Sequence, residues 1–352
     1  MIDIKTYGYN QAAEEQYGFL AARITAVHRE LFEIVCEMGT VNARLKSSVY
    51  YNKNETFPTV GDFVKIIYNP YGESLIVKTL PRKSFFSRLD PSSSGYSDQA
   101  VAANFDYVFI MQSLNLDFNL KRIERYLTLA WQSGATPVII LTKSDLVEDF
   151  NEQLKEIEKV AIGVDIHAIS AKAGNGLECL DKYLQPGKTI VFLGSSGVGK
   201  SSLVNALAGE EIMNVNEIRE DDSKGRHTTT HRQLIMLNSG VMIIDTPGMR
   251  ELGMWDVTSG LGGAFEDVES YFPMCKFRDC KHQSEPGCAV KAAIENGELP
   301  RERWESYIQL KNEAKYSDDK QAYLRQKTEF FKNINKLNKQ ARKSSKEFKN
   351  DK

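Results

Sequence analysis

Gly194-Ser195-Ser196-Gly197-Val198-Gly199-Lys200-Ser201 has the spacing G-x-x-x-x-G-K-[ST], and its reading decides the fold. The run before it, Thr189-Ile190-Val191-Phe192-Leu193, is short, apolar and rich in β-branched residues, the pattern of a buried strand. The run after it, Ser202-Leu203-Val204-Asn205-Ala206-Leu207-Ala208, reads as a helix that Gly209 stops. Strand, glycine-rich loop and helix form the context in which backbone N–H groups close around phosphate oxygens. Residues Gly194 through Ser202 are therefore the expected phosphate cradle. Lys200 is placed to reach the β- and γ-phosphates, and the Ser201 hydroxyl to hold Mg²⁺. An ordinary glycine-rich turn between strand and helix is the rival reading, and the agreement of motif with context disfavours it.

Upstream, Pro137-Val138-Ile139-Ile140-Leu141 reads as a strand that delivers Thr142-Lys143-Ser144-Asp145, a match to [NT]-K-x-D. Asp145 can accept from the N1 and N2 donors of guanine, a pair adenine lacks. A buried acceptor left unpaired is costly, so the motif selects guanine. The Lys143 stem can lie along the base, and Thr142 stands where Asn is commoner. One βα unit later, the strand Asp165–Ile169 ends in Ser170-Ala171-Lys172, which fits a loop offering backbone contacts to the same base. His167 reads as a packed or solvent-facing strand residue. The strand Tyr107–Met111 and a helix from Leu120 to Gln132 precede these motifs.

Downstream, the polar stretch Asn214–Gly225 is too charged to bury and resembles a switch loop. It ends in Gly225-Arg226-His227-Thr228-Thr229-Thr230, where one threonine is expected on Mg²⁺; we take Thr229. Leu234–Leu237 and Val241–Ile244 read as a hairpin through Asn238-Ser239-Gly240. Its second strand delivers Asp245-Thr246-Pro247-Gly248, with Asp245 as an outer-sphere Mg²⁺ ligand and the Gly248 N–H toward the γ-phosphate. Met249 follows where Ras-like enzymes carry a water-orienting Gln, which implies slow intrinsic hydrolysis, on the order of 10⁻³ s⁻¹ or less. The parts of a GTPase are present in a permuted order: both guanine motifs precede the phosphate loop. Domain termini often lie close together, so such a cut is physically permissible.

Outside this centre, residues 1–83 carry short strand-like runs: 18–24, Leu31–Cys36, Asp62–Tyr68 and Ser74–Lys78. Pro and Gly punctuate them, as in a small five-stranded OB-type barrel. Arg23, Arg29, Arg44, Lys46, Lys53 and Lys65 interleave with Tyr50, Tyr51, Phe57 and Phe63, a mixture suited to stacking bases and tracking phosphates, or simply to covering a barrel core. Residues 84–103 read as a Ser/Gly-rich linker, 104–255 as the nucleotide domain, and 256–352 as a mainly helical third domain. In the last, Cys275, Cys280, His282 and Cys288 offer three thiolates and one imidazole in one short loop, a set suited to a closed tetrahedral Zn²⁺ site. The tail 332–352 is basic, with a thin stripe of Ile334, Leu337 and Ala341; it reads as a solvated helix or as an arm for phosphate contacts.

The chain's 352 residues suit two or three domains, and its net charge of −2 excludes a uniformly basic coat for nucleic acid. No signal peptide or membrane-spanning run is visible. Clustered rather than paired cysteines suggest a reducing, cytoplasmic setting.

The order of Thr142–Asp145, Gly194–Ser201, Gly225–Thr230 and Asp245–Gly248, then the Cys₃His loop, closely resembles the RsgA (YjeQ) family of circularly permuted GTPases. Ala102-Ala103-Asn104-Phe105-Asp106 is similar too, and the likeness spans nearly the whole chain. The resemblance implies a monomeric GTP hydrolase, with GTP/GDP, Mg²⁺ and one structural Zn²⁺, that assists late maturation of the small (30S) ribosomal subunit. The barrel and the zinc domain would bind its 16S rRNA, with hydrolysis stimulated by the subunit. It also implies that His227 replaces the missing Gln as a catalytic residue, beside Thr229 and Lys200. The alternatives are a GTP-dependent switch whose partner is a protein, and an RNA-binding protein that uses GTP only to order its fold.

Overall fold

The computed structural model describes residues 1–10, 19–50, 55–89, 98–115, 118–213, 232–245 and 258–315. The first unit is built from β1 (Leu20–His28), β2 (Leu31–Cys36), β3 (Gly39–Leu45), β4 (Phe63–Ile67) and β5 (Ser74–Thr79), with one helical turn, α1 (Ser47–Tyr50), after β3. The order β1-β2-β3-β5-β4 closes through β1–β4 pairing, and β3 and β5 run parallel, so the unit is a closed five-stranded barrel. Alternate residues fill it: Ala22 and Ile24 of β1, Phe32 and Ile34 of β2, Val64 and Ile66 of β4. β3 has no apolar run to announce it; Gly-Thr-Val-Asn-Ala-Arg-Leu is half solvated, and only Ala43 is fully inside.

The surface proposed for bases needs correction. Arg23, Tyr50 and Phe63 are buried at 1%, 1% and 5% exposure and serve the interior. Arg29, Arg44 and Phe57 remain exposed, and Tyr51 and Lys53 lie outside the described residues. Pattern alone could not separate them, because Arg23 sits where β1 faces a neighbouring domain rather than water.

Within 84–103, the stretch read as a linker, β6 (Phe85–Leu89) and β7 (Asp98–Ala103) pair antiparallel. Phe86 stacks on Phe105 with ring centroids 4.8 Å apart and joins the core of the next domain. Asn104 turns the chain there with φ of 55°; its side-chain Nδ2 donates to Gly61 O and its Oδ1 accepts from Lys83 N.

The second domain holds β8 (Tyr107–Ser113), α2 (Leu120–Ser133), β9 (Thr136–Thr142), α3 (Asn151–Val160), β10 (Asp165–Ala168), β11 (Thr189–Gly194), α4 (Lys200–Ala208), β12 (Gln233–Met236) and β13 (Met242–Asp245). Asn119 caps α2 by accepting from Arg122 N, and Gly134 ends it. Strand order is β10-β9-β8-β11-β13-β12, parallel except for the β12–β13 hairpin. The central strands β8, β9, β11 and β13 are buried on both faces and divide their side chains by period two. Val108, Ile110, Ile139, Leu141, Val191 and Leu193 face a core shared with α2 and α3. Phe109, Met111, Val138, Ile140, Ile190 and Phe192 face Leu203 and Val204 of α4.

The third domain is helical: α5 (Thr258–Ala264), α6 (Glu266–Glu269), α7 (Ala289–Glu295) and a helix over 301–315. It packs on α2. The Arg303 guanidinium, 4% exposed, bonds Glu124 Oε1 of α2 at 2.7 Å and both Asp267 oxygens at 2.9 and 3.0 Å, and lies 4.0 Å over the Phe265 ring.

Candidate functional site

Parallel strands end together, and that is what reassembles the permuted motifs. β8, β9, β10, β11 and β13 all run one way, so their C-terminal residues form one rim. Ser113 is level with Thr142, Ala168 with Leu141, and Gly194 with Met111. The loops carrying Thr142–Asp145, Ser170–Lys172 and Gly194–Ser201, and the strand end at Asp245, therefore lie side by side.

Two bonds tie them. The Thr142 hydroxyl, buried at 4% exposure, donates to Val198 O in the middle of the glycine-rich loop at 2.5 Å. Lys200 Nζ, at the start of α4, reaches Asp245 Oδ1 at the end of β13 at 3.0 Å. The Thr142–Asp145 motif, the glycine-rich loop and the acidic strand end thus meet at one rim, although they are 56 and 45 residues apart in pairs. Gly199 caps α4 with φ of 103°, a conformation L side chains rarely adopt, and this turns the loop's N–H groups to the helix N-terminus.

The guanine side is preformed. Lys143 takes a left-handed conformation with φ of 60°, and the turn Ser144–Leu146 that follows leaves Asp145 exposed. Ser144 N donates to Ile169 O, which joins this turn to the next loop. There Ser170 is buried; its N–H donates to Asn175 O and its hydroxyl accepts from Ala173 N, so Ala171 and Lys172 are held at a fixed, partly open bend. Ser195, Ser196 and Gly197 line the outer side of the phosphate loop, with Ser201 and Ser202 partly open on the first turn of α4. His227, Thr229, Gly248 and Met249 lie outside the described residues. The Thr142–Val198 bond was invisible to motif reading, which saw only that Asn had been replaced.

His167 is no part of this rim's chemistry. Its Nε2 is 2.9 Å from Tyr183 Oη, which donates to Asp165.

The Cys₃His set forms a second centre. The ligand atoms of Cys275, Cys280, His282 and Cys288 all lie within 4.8 Å of one another. His282 Nδ1 is 3.6 Å from Cys275 Sγ and 3.5 Å from Cys288 Sγ. A tetrahedron with zinc–sulfur and zinc–nitrogen lengths has S···N edges of about 3.6 Å, so the donors fit that ion. Burial lowers the affinity of His282 for a proton, with Lys311 adding to it, which favours the neutral ligand form. Burial opposes ionisation of the Cys275 thiol, but N–H groups of Ala289 and Val290 and the neighbouring thiols outweigh it and hold it below the ordinary value. Phe272 stacks on the His282 ring at 4.5 Å, and Trp304 meets it edge-on at 5.7 Å. Glu285 braces the loop; its own N–H and those of Gln283, Lys281 and Ser284 hold its carboxyl at about 2.

Known proteins match this arrangement. The RsgA GTPase family model matches residues 79–255. The chain is 45% identical over 343 residues, 95% of its own length and 96% of the relative's, to the small ribosomal subunit biogenesis GTPase RsgA 2 of Listeria monocytogenes serotype 4b. The chain belongs to the RsgA GTPase family. A relative from Methanosarcina acetivorans, also named small ribosomal subunit biogenesis GTPase RsgA, is 40% identical over 89% of this chain and 86% of its own. Among solved structures, YjeQ from Thermotoga maritima superposes with a TM-score of 0.63 at 28% identity, covering 83% of this chain and 97% of the other. The structure of YloQ, described as a circularly permuted GTPase, gives 0.62 at 27% identity, over 86% of this chain and 97% of the other. Membership in the RsgA family makes the chain a GTP hydrolase and implies GTP/GDP and Mg²⁺, and the Cys₃His cluster is compatible with zinc. No described helix is long and apolar enough to cross a membrane.

Proposed function

We propose that this RsgA family member is a GTPase of small ribosomal subunit biogenesis: it docks on the 30S subunit, contacts 16S rRNA, hydrolyses GTP to GDP and phosphate, and departs. The observation that carries the nucleotide half is the pair of bonds Thr142–Val198 and Lys200–Asp245, which joins guanine, phosphate and metal segments into one pocket. The relatives' names carry the ribosomal half.

Each residue has a task in this reading. Asp145 accepts from guanine N1 and N2, the Lys143 stem covers the base face, Ser144 fixes the turn, and the Ser170-Ala171-Lys172 bend presents backbone to the base. Gly194 through Ser202 surround the phosphates, and Lys200 leaves Asp245 for the β- and γ-oxygens. Mg²⁺, held by Ser201 and Thr229 with Asp245 in its outer sphere, would neutralise charge on the phosphates. Gly248 N–H meets the γ-phosphate, and His227 orients the attacking water in place of a Gln. Cys275, Cys280, His282 and Cys288 hold a structural Zn²⁺. Residues 1–83 and 256–352 supply the rRNA contacts around the nucleotide domain 104–255, and the protein works as a cytoplasmic monomer.

The test is co-sedimentation with purified small subunits in GTP-analogue and GDP forms, with phosphate release followed in parallel. Nucleotide-dependent binding with accelerated release supports the proposal. Stimulation by a protein but not by subunits transfers the chain to the partner-protein switch, and no release above background makes GTP a structural ligand.

A further inference from the structure

One buried cation, remote from the nucleotide, is spent on joining the barrel to the GTPase sheet. Arg23 of β1 donates through Nε to Gly61 O at 3.2 Å, through Nη1 to Tyr7 O at 2.6 Å, and through Nη2 to Asn104 O at 2.9 Å. Nη1 also lies 3.2 Å from Met242 Sδ on β13. Burial pulls its pKa down to about 10 against the nearby carboxylates of Asp106 and Asp62, so it stays charged at neutral pH. A guanidinium that holds three carbonyls from three segments fixes their relative positions as no lysine could.

The contact is continuous with the nucleotide site. Ala26 of β1 pairs with Gln233 of β12, and Gln233 pairs with Asp245 of β13, whose carboxylate holds Lys200. Adjacent strands are about 4.8 Å apart, so two strand spacings, about 10 Å, separate the barrel wall from the acidic strand end. Three residues back along each strand, Arg23 makes a second attachment at Met242. Val60 from the barrel's β3–β4 loop shares a core with Leu234, Met242 and Ile244. Gly61 allows that approach: a Cβ there would sit 2.1 Å from Ala103 O and 2.9 Å from Ile244 Cδ1. Arg232, one residue before β12, adds a bond from Nη1 to Ala100 O at 3.0 Å. In the chain, β12 follows the switch-loop stretch Asn214–Gly225 and Gly225–Thr230, and β13 ends at Asp245, the first residue of Asp245-Thr246-Pro247-Gly248.

We infer that Arg23 is a positioning residue for stimulated hydrolysis: it holds β1 against Asn104 and Met242, so that force on the docked barrel reaches Asp245 through the Ala26–Gln233–Asp245 row. The inference rests on the proposed subunit-stimulated GTPase. The unstimulated rate depends on the residues proposed around the nucleotide, and Arg23 bonds none of them: its partners are Gly61, Tyr7, Asn104 and Met242.

The test compares full-length parent, Arg23→Lys and Met242→Leu for unstimulated kcat, GTP KM, subunit co-sedimentation and subunit-stimulated kcat. Arg23→Lys is expected to keep the first three and to lose roughly tenfold in stimulated kcat, the scale of one to two lost buried hydrogen bonds. Met242→Leu conserves volume and removes only the sulfur contact, so it folds where Arg23→Lys does not, and it should lose about threefold. A stimulated parent with both variants stimulated equally overturns the coupling alone, as does a variant whose only defect is a lower urea midpoint. A parent that subunits bind but do not stimulate overturns the functional reading, and the coupling with it.

Discussion

Replacing Thr142 by valine removes one hydroxyl and keeps the side chain's shape, so it isolates the bond between guanine motif and phosphate loop. That hydroxyl is buried and donates to Val198 O, which then has no partner in its place. An unsatisfied buried acceptor costs about 1–3 kcal/mol. With nucleotide absent, the loop can turn the carbonyl toward water and avoid most of the cost. With nucleotide bound, the loop must hold its phosphate-cradling form, so the penalty falls on binding. Taking about 1–2 kcal/mol, GDP affinity drops roughly 5–30-fold. Thr142→Ser keeps the hydroxyl and should bind within about twofold of the parent, since a lost methyl contact at the pocket edge is worth only a fraction of a buried methylene. The assay is titration of a fluorescent GDP analogue, with thermal midpoints measured with and without GDP. If Thr142→Val binds as tightly as the parent and gains the same thermal shift from GDP, the bond is incidental, and the claim that it preorganises the pocket is refuted.

Arg303→Ala strands Glu124 and Asp267 against α2 without their cation, and should cost about 3–5 kcal/mol by urea denaturation, the range for a broken buried ion pair. For Asp106, burial opposes ionisation, but bonds from Lys83, Thr189 N and Lys188 outweigh it and hold the carboxyl below its usual value. Its folded pKa is depressed, so its contribution is full above the unfolded value of about 4 and is lost as pH falls through the folded one. Asp106→Asn should therefore flatten the acid limb of a urea-midpoint curve below about pH 4. Chelation should release zinc in stoichiometric amount and lower the thermal midpoint, and Cys288→Ser should purify with less metal by elemental analysis. His227→Ala should lose subunit-stimulated turnover while GTP affinity holds; equal stimulated rates in variant and parent would exclude the role.

The central strands of the nucleotide domain, β8, β9, β11 and β13, were legible because they are buried along nearly their whole length and read as unbroken apolar runs. Thr189–Gly194 and Tyr107–Ser113 lie within two residues of where the apolar runs place them. Motif order likewise announced the permutation. What stayed illegible was side-chain destination. Arg23 and Arg44 look alike in sequence, yet one is sealed between domains and the other is half exposed beside Glu73. The hairpin β6–β7 hid behind serine and glycine, because its stabilising contact, Phe86 on Phe105, lies across a turn that no local pattern marks. Arg303 carried no signal, since its partners sit 36 and 179 residues away.

The permuted order has a mechanical consequence at residues 246–257. Their first end is Asp245, on β13, in contact with the phosphate-loop lysine. Their second end opens α5, which lies directly on α2: a Cβ on Gly260 would stand 2.2 Å from Thr128 O, so only glycine permits the approach. α2 in turn leads into β9, whose last residue is Thr142. Arg303 fastens the helix over 301–315 to the same α2 through Glu124, and Trp304 beside it touches the His282 ring of the metal loop. In the chain, residues 246–257 thus connect Asp245, which holds the phosphate-loop lysine, to α5, which packs on α2. The zinc-type module hangs from the far end of this connection. The α5 end is held by the Gly260 approach to Thr128 and by Arg303 on Glu124, and the Asp245 end by the β12–β13 pairing and by Lys200.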